Sequence, residues 1–282
     1  MPVWLDDFLW TYQSLIAALG VNGLLALSVY VVLAVGQLSL GQAAFMGLGA
    51  YASALLSLHA SLPFPLVLLA AMGIPALAAI VVGLPTLRLS GVYLALATIG
   101  LGEIFRIFLI QSDFAGGALG LSGIPERAGF ALIYGCLAAA LTAIVLLSRS
   151  RVGRAMDAIR QDEAAAAASG VDLARYKLGA LVASAMLAGL AGALNAHATA
   201  FIGPNDYGFD AAVAILSYAL LGGIGSPFAP LLGALILTLL PEILRPLAEA
   251  RMAVNGLIIV IAVLFMPHGL LAWRMPRLGA RP

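Results

Sequence analysis

The sequence predicts an all-α polytopic transmembrane bundle of about 8–10 spans, with broken or re-entrant glycine-rich helices and one cytoplasmic helix. Three observations carry that prediction. Of 282 residues, 63% are hydrophobic and only 10% charged, against roughly 45–50% and about 25% in an ordinary soluble domain. Mean hydropathy is +1.07. The apolar blocks recur along the whole chain, so lipid must replace water as the main solvent. No low-complexity linker or compositional shift divides the chain, which reads as one membrane domain over residues 1–282.

Uncharged or nearly uncharged blocks run over residues 14–35, 40–58, 64–84, 91–110, 130–147, 178–201, 211–222, 229–244 and 253–271, nine candidate spans. Spanning a bilayer takes about 20 apolar residues in a helix. The blocks at 40–58 and 211–222 fall short of that and border glycine-rich stretches, so they read as the broken or re-entrant elements. Residues 1–13 carry Asp6 and Asp7 and no basic residue. A cleavable signal peptide starts with positive charge, so the first apolar run is expected to stay in the protein.

Orientation follows from the basic residues. Arg149, Arg151, Arg154, Arg160, Arg175 and Lys177 crowd into residues 149–177, which should therefore face the cytoplasm. Alternation from there places Arg88 and the tail residues Arg274, Arg277 and Arg281 on the same side, with Arg127, Arg245 and Arg251 outside and Arg106 within a span. This count puts the N-terminus outside and the C-terminus in the cytoplasm. The most polar external loop, residues 111–129, is rich in glycine and holds Pro125, as a turn-rich excursion would.

Within the spans, residues 36–51 read GQLSLGQAAFMGLGAY and break apolar sequence with Gln37, Ser39, Gln42 and four glycines. Uncharged polar groups at membrane depth either line a path or bond neighbouring backbone where helices pack closely. Asn195 is a further uncharged polar residue inside an apolar block and joins them as a path candidate. Glu103 and Arg106 lie three apart, share a helix face and should pair, because a lone charge at this depth costs several kcal/mol. Their role is either a structural ion pair or a part in gating.

The stretch RSRVGRAMDAIRQDEAAAAASGVDLARYK is long for a connector. Val152, Met156 and Ile159 fall on one helical face, an alanine run favours helix, Gly170 offers a stop and Asp172 can cap the next helix. Such a protrusion can seat in a groove on a partner or lie along the membrane surface.

Several blocks, in order, resemble the LivM-type permeases of branched-chain amino acid ABC importers: LSLGQAAFMGLGAYASALL, GVYLALATIGLGEIFRIF, GALGLSGIP, SRVGRAMDAIRQDEAAAAASGV, ASAMLAGLAGAL, LLGGIGSPFAPLLGAL and FMPHGLLAW. The likeness covers nearly the whole chain. It implies a bacterial inner-membrane protein acting with a second permease of the LivH type, two ABC ATPase subunits and a periplasmic substrate-binding protein. It also implies that Glu163, Ala164, Ala165 and Gly170, within a docking segment that includes Gly153, Arg154 and Asp162, seat on the ATPase. The later part of the general ABC-permease motif, an isoleucine followed by Leu-Pro, is absent here. Permeases of this kind also carry urea or other amino acids.

Other chemistries find little support. The chain has no GxxxxGK[ST] phosphate loop, and its only lysine is Lys177, so ATP hydrolysis belongs to a partner and no cofactor is expected. His59, His197 and His268 stand apart without metal-ligand spacing. The basic residues form no dense stripe, which argues against nucleic acid. The single cysteine, Cys136, excludes an intrachain disulfide. Gly120-Leu121-Ser122-Gly123 matches the short GxSG of intramembrane serine proteases, with His197 as the base such chemistry would need. That protease and an uncoupled channel stand as alternatives.

Overall fold

The computed structural model describes residues 12–243 apart from 61, 87 and 90. Each apolar block within that range becomes a helix: α1 (Gln13–Leu33), α2 (Gln42–His59), α3 (Phe64–Thr86), α4 (Val92–Gln111), α5 (Phe130–Arg149), α8 (Leu173–Thr199), α9 (Phe209–Gly222) and α10 (Ala229–Ile243). Two short helices, α6 (Arg151–Gln161) and α7 (Glu163–Ala168), join α5 to α8. The block at 253–271, His268 and the basic residues from Arg245 onward lie outside the described residues. Helices α1, α3, α4, α5 and α8 are long and apolar enough to cross a membrane.

Helix α8 is the hub, packed along α1, α2 and α3. The spans divide into an inner and an outer set: over an 18-residue apolar stretch α1 is 67% and α8 61% buried, against 28% for α3, 22% for α4 and 17% for α5. The outer helices turn apolar faces outward, where lipid or a partner subunit can cover them. Small residues let the inner helices touch backbone to backbone. A side chain at Gly192 would strike the Met46 carbonyl of α2, one at Gly49 would strike Gly189, and one at Gly189 would strike the Ala71 carbonyl of α3. Leucine tails pack as well against lipid as against each other, so such close approach supplies much of the association energy in a bilayer.

The two ends of the bundle differ. At one, β1 (Leu121–Ser122) pairs antiparallel with β2 (Phe201–Ile202), Leu121 opposite Ile202. The turn-rich loop expected at 111–129 docks here, with the Ile124 and Ala128 amides donating to the carbonyls of Ala200 and His197. At the other end stand α6 and α7. Gly83 near the end of α3 packs on Leu178 and Leu181 of α8, so Arg88 shares the α6–α7 end, as the alternation requires.

Helices α9 and α10 have 14 and 15 residues, about 21 and 22 Å, short of the ~30 Å hydrocarbon core. They fold back on each other through Gly222 against the Ala229 carbonyl and Gly233 against the Tyr218 carbonyl. Asn22 of α1 donates to Thr238 Oγ1 of α10 at 2.9 Å, holding the hairpin to the inner set.

Candidate translocation path and coupling segment

Helix α1 stops at Leu33, and Gly36, in the left-handed region at φ 80°, turns the chain against Arg160 of α6. Residues 37–40 are not helical. Helix α2 then starts inside the bundle: Gln42 Nε2 donates to Ser184 Oγ at 3.3 Å, and Ser184 lies eleven residues along α8 from Leu173, about 16 Å from its start. The break read at residue 40 is therefore an irregular strand running from the α6–α7 end into the interior. Non-helical backbone is tolerated at membrane depth only where protein satisfies it. Here the Leu40 amide donates to Thr98 Oγ1 of α4 at 3.0 Å and the Gly41 amide to Ser39 Oγ at 3.2 Å. Gln37, Ser39 and Gln42 are all buried. Gln37 Oε1 meets no donor among the described residues, which costs about 1–3 kcal/mol.

Glu103 and Arg106 pair as their spacing requires, Arg106 Nε donating to Glu103 Oε2 at 2.8 Å. The pair also ties two elements together. Glu103 Oε1 accepts from the Phe209 amide at 3.2 Å, and Arg106 Nη1 donates to Asn205 Oδ1 at 3.0 Å. The carboxylate thus meets the first amide of α9, where the helix dipole favours negative charge. Beside it lies a cavity of about 10 Å³ lined by Leu40, Ala43, Ala44, Ile99, Gly102, Glu103, Tyr207, Gly208, Phe209 and Ala212, room for about one water. The first turns of α2 and α9 both border it. Tyr207 and Tyr51 meet edge to face, ring centres 6.0 Å apart, and both hydroxyls are buried without a partner among the described residues.

The sequence-derived path candidates do not all converge. Asn195 is half-buried on α8, eleven residues beyond Ser184, so about 16 Å of helix separates it from the partner of Gln42. Thr98, Ser184, Asn205 and Tyr207 join the site without having stood out in the sequence. Thr98 and Ser184 are lone hydroxyls in apolar helices, and nothing local distinguishes them from hydroxyls bonded only to their own helix.

In the connecting segment, Ser150 caps α6 by accepting from the amides of Val152 and Gly153. The segment breaks once more than its alanine-rich sequence suggests: Asp162 is extended at φ −157° and caps α7 by accepting from the Ala164 and Ala165 amides. Gly170, at φ 84°, ends α7, and Asp172 caps α8, both as read. The buried face of α6 is Gly153, Met156 and Ile159, whereas Val152 is exposed. A side chain at Gly153 would strike the carbonyls of Leu147 and Ser148, so this glycine serves the tight turn from α5 and faces inward. Arg154, Ala164, Ala165 and Gly170 are exposed. Glu163 is committed within the chain, its Oε2 accepting from Lys177 Nζ at 2.6 Å.

The protease alternative fails on geometry. His197 is fully buried, its Nδ1 2.8 Å from the Pro125 carbonyl and its Nε2 3.3 Å from Ser57 Oγ. With both nitrogens engaged, the ring offers no base to Ser122, which sits exposed on β1.

A bundle of apolar helices that encloses non-helical, polar backbone at membrane depth is the build of a multi-pass membrane permease. A family described as branched-chain amino acid transport system / permease component matches residues 12–265, and the chain belongs to it. Among curated proteins it is 34% identical to the high-affinity branched-chain amino acid transport system permease protein LivM of Escherichia coli (strain K12), over 95% of this chain and 70% of that protein. The protein of that name from Salmonella typhimurium is 33% identical over the same shares. No solved structure matches the chain.

Proposed function

We propose that the chain is the permease subunit of an ABC importer that moves leucine, isoleucine and valine across the bacterial inner membrane, driven by ATP hydrolysis on partner ATPases. The observation that carries this reading is the family match, which runs unbroken through the interrupted helices and the α6–α7 segment. A second permease of the LivH type completes the path against the exposed outer helices, and a periplasmic binding protein delivers substrate. The arginine count supports a periplasmic N-terminus and a cytoplasmic α6–α7.

A zwitterion entering hydrocarbon must have both charges solvated by protein. Beside the small cavity, the first-turn amides of α2 suit a carboxylate, Glu103 suits an ammonium, and Leu40, Ile99 and Phe209 suit a branched apolar side chain. The cavity is far too small for leucine as it stands, so substrate passes only when α4 or α9 moves, as alternating access demands. Gln37, Ser39 and Gln42 line the approach from the α6–α7 end.

The ATPase docks on α7, whose Ala164, Ala165, Ala167 and Ala168 are exposed. Co-expressed with the second permease and the ATPases, the chain co-purifies with them. Ala165→Arg, which alters the α7 surface without touching a span, should insert normally and lose ATPase association at least tenfold. Wild-type association in that variant would move the docking surface away from α7, and a stable, active homomer without ATPases would sink the importer.

A further inference from the structure

Lys177 is the only lysine in the chain and sits in the first turns of α8 with its side chain 10% exposed. Its ammonium meets the carboxylate of Glu163, the first residue of α7, at 2.6 Å, and that carboxylate is 47% exposed. Burying an ammonium is expensive, and an arginine-rich segment beside it could have supplied surface charge without that cost. The bond reaches from α7, five of whose six residues are exposed, to α8, the hub of the described helices. Seven residues further along α8, about 10 Å, Ser184 holds Gln42 at the inner start of α2. Beyond it, Gly189 and Gly192 fix α8 against α3 and α2. Packed crossings of this kind shift as units, so a pull on Glu163 is delivered to the helix that positions the interrupted entry.

We infer that Lys177 is the positioning residue that couples the ATPase to the path: its ion pair with Glu163 passes displacement of α7 to α8. This rests on the proposed docking of the ATPase at α7. Lys177 itself touches neither nucleotide nor substrate.

The complete importer, reconstituted in proteoliposomes with its binding protein, gives the readout as leucine moved per ATP hydrolysed. Lys177→Met keeps an apolar stem and leaves Glu163 half in water, so the complex should assemble and hydrolyse ATP within about twofold of wild type. Its uptake per ATP should fall about tenfold. Glu163→Asp keeps both charges but shortens the reach, and should lose part of the same ratio. Exchanging the partners, Lys177→Glu with Glu163→Lys, should restore most of it. An unchanged ratio in Lys177→Met and Glu163→Asp, or uptake and hydrolysis falling in proportion as they would for a folding defect, overturns the link. A wild-type permease that captures no ATPase instead overturns the proposed function itself, so the two failures are distinguishable.

Discussion

Glu103 serves three purposes with one carboxylate: it pairs with Arg106, accepts from the first amide of α9, and borders the cavity between α2 and α4. Spacing alone revealed the first of these, because three residues along a helix is a local relation. The second joins residues 106 apart in sequence, which no local pattern encodes. The pair is about a third exposed, 28% and 32%, so its own attraction is worth only about 0.5–1 kcal/mol. What matters more is the charge left behind when one partner goes. Glu103→Gln alone should therefore destabilise the purified protein by about 1 kcal/mol more than Glu103→Gln combined with Arg106→Gln. Thermal unfolding in detergent measures this, and strict additivity of the two substitutions would rule the pairing out.

Helices were the most legible level. A block of about 20 apolar residues has no other way to satisfy its backbone in lipid, and the eight apolar blocks that begin within residues 12–243, the shorter ones included, all became helices. The exceptions lie where polar residues, through local caps or tertiary partners, set the helix ends. Helix α8 begins at Leu173, five residues before its apolar block, because Asp172 caps it and Lys177 finds Glu163. The break at Asp162 was hidden by the helix propensity of the alanines that follow. The depth at which α2 starts depends on Thr98 and Ser184, on two other helices. Glycine content likewise signalled close packing without saying which glycine mattered. On α8, a side chain at Gly192 would meet α2 backbone, whereas one at Gly179 would meet nothing within 4 Å. Gly192→Val should thus cost about 3 kcal/mol or prevent folding, while Gly179→Ala should stay within about 0.5 kcal/mol of wild type. Equal effects from the two in a detergent unfolding assay would contradict the packing described for α8.

For the whole molecule, the architecture ties an exposed two-helix protrusion at one end to an interrupted, polar entry in the interior through a single central helix. Outer spans that are mostly unburied and a cavity that holds about one water are what one half of a larger, moving assembly would present. The central claim is that this half carries branched-chain amino acids only when ATP is hydrolysed by its partners. Uptake of labelled leucine into proteoliposomes containing the permease pair, the ATPases and the binding protein tests it most directly. Uptake should run against a gradient and fall at least tenfold when ATP is replaced by a non-hydrolysable analogue or the ATPases are left out. Leucine entry at the same rate without ATP, ending once the concentrations are equal, would contradict it and make the protein a channel.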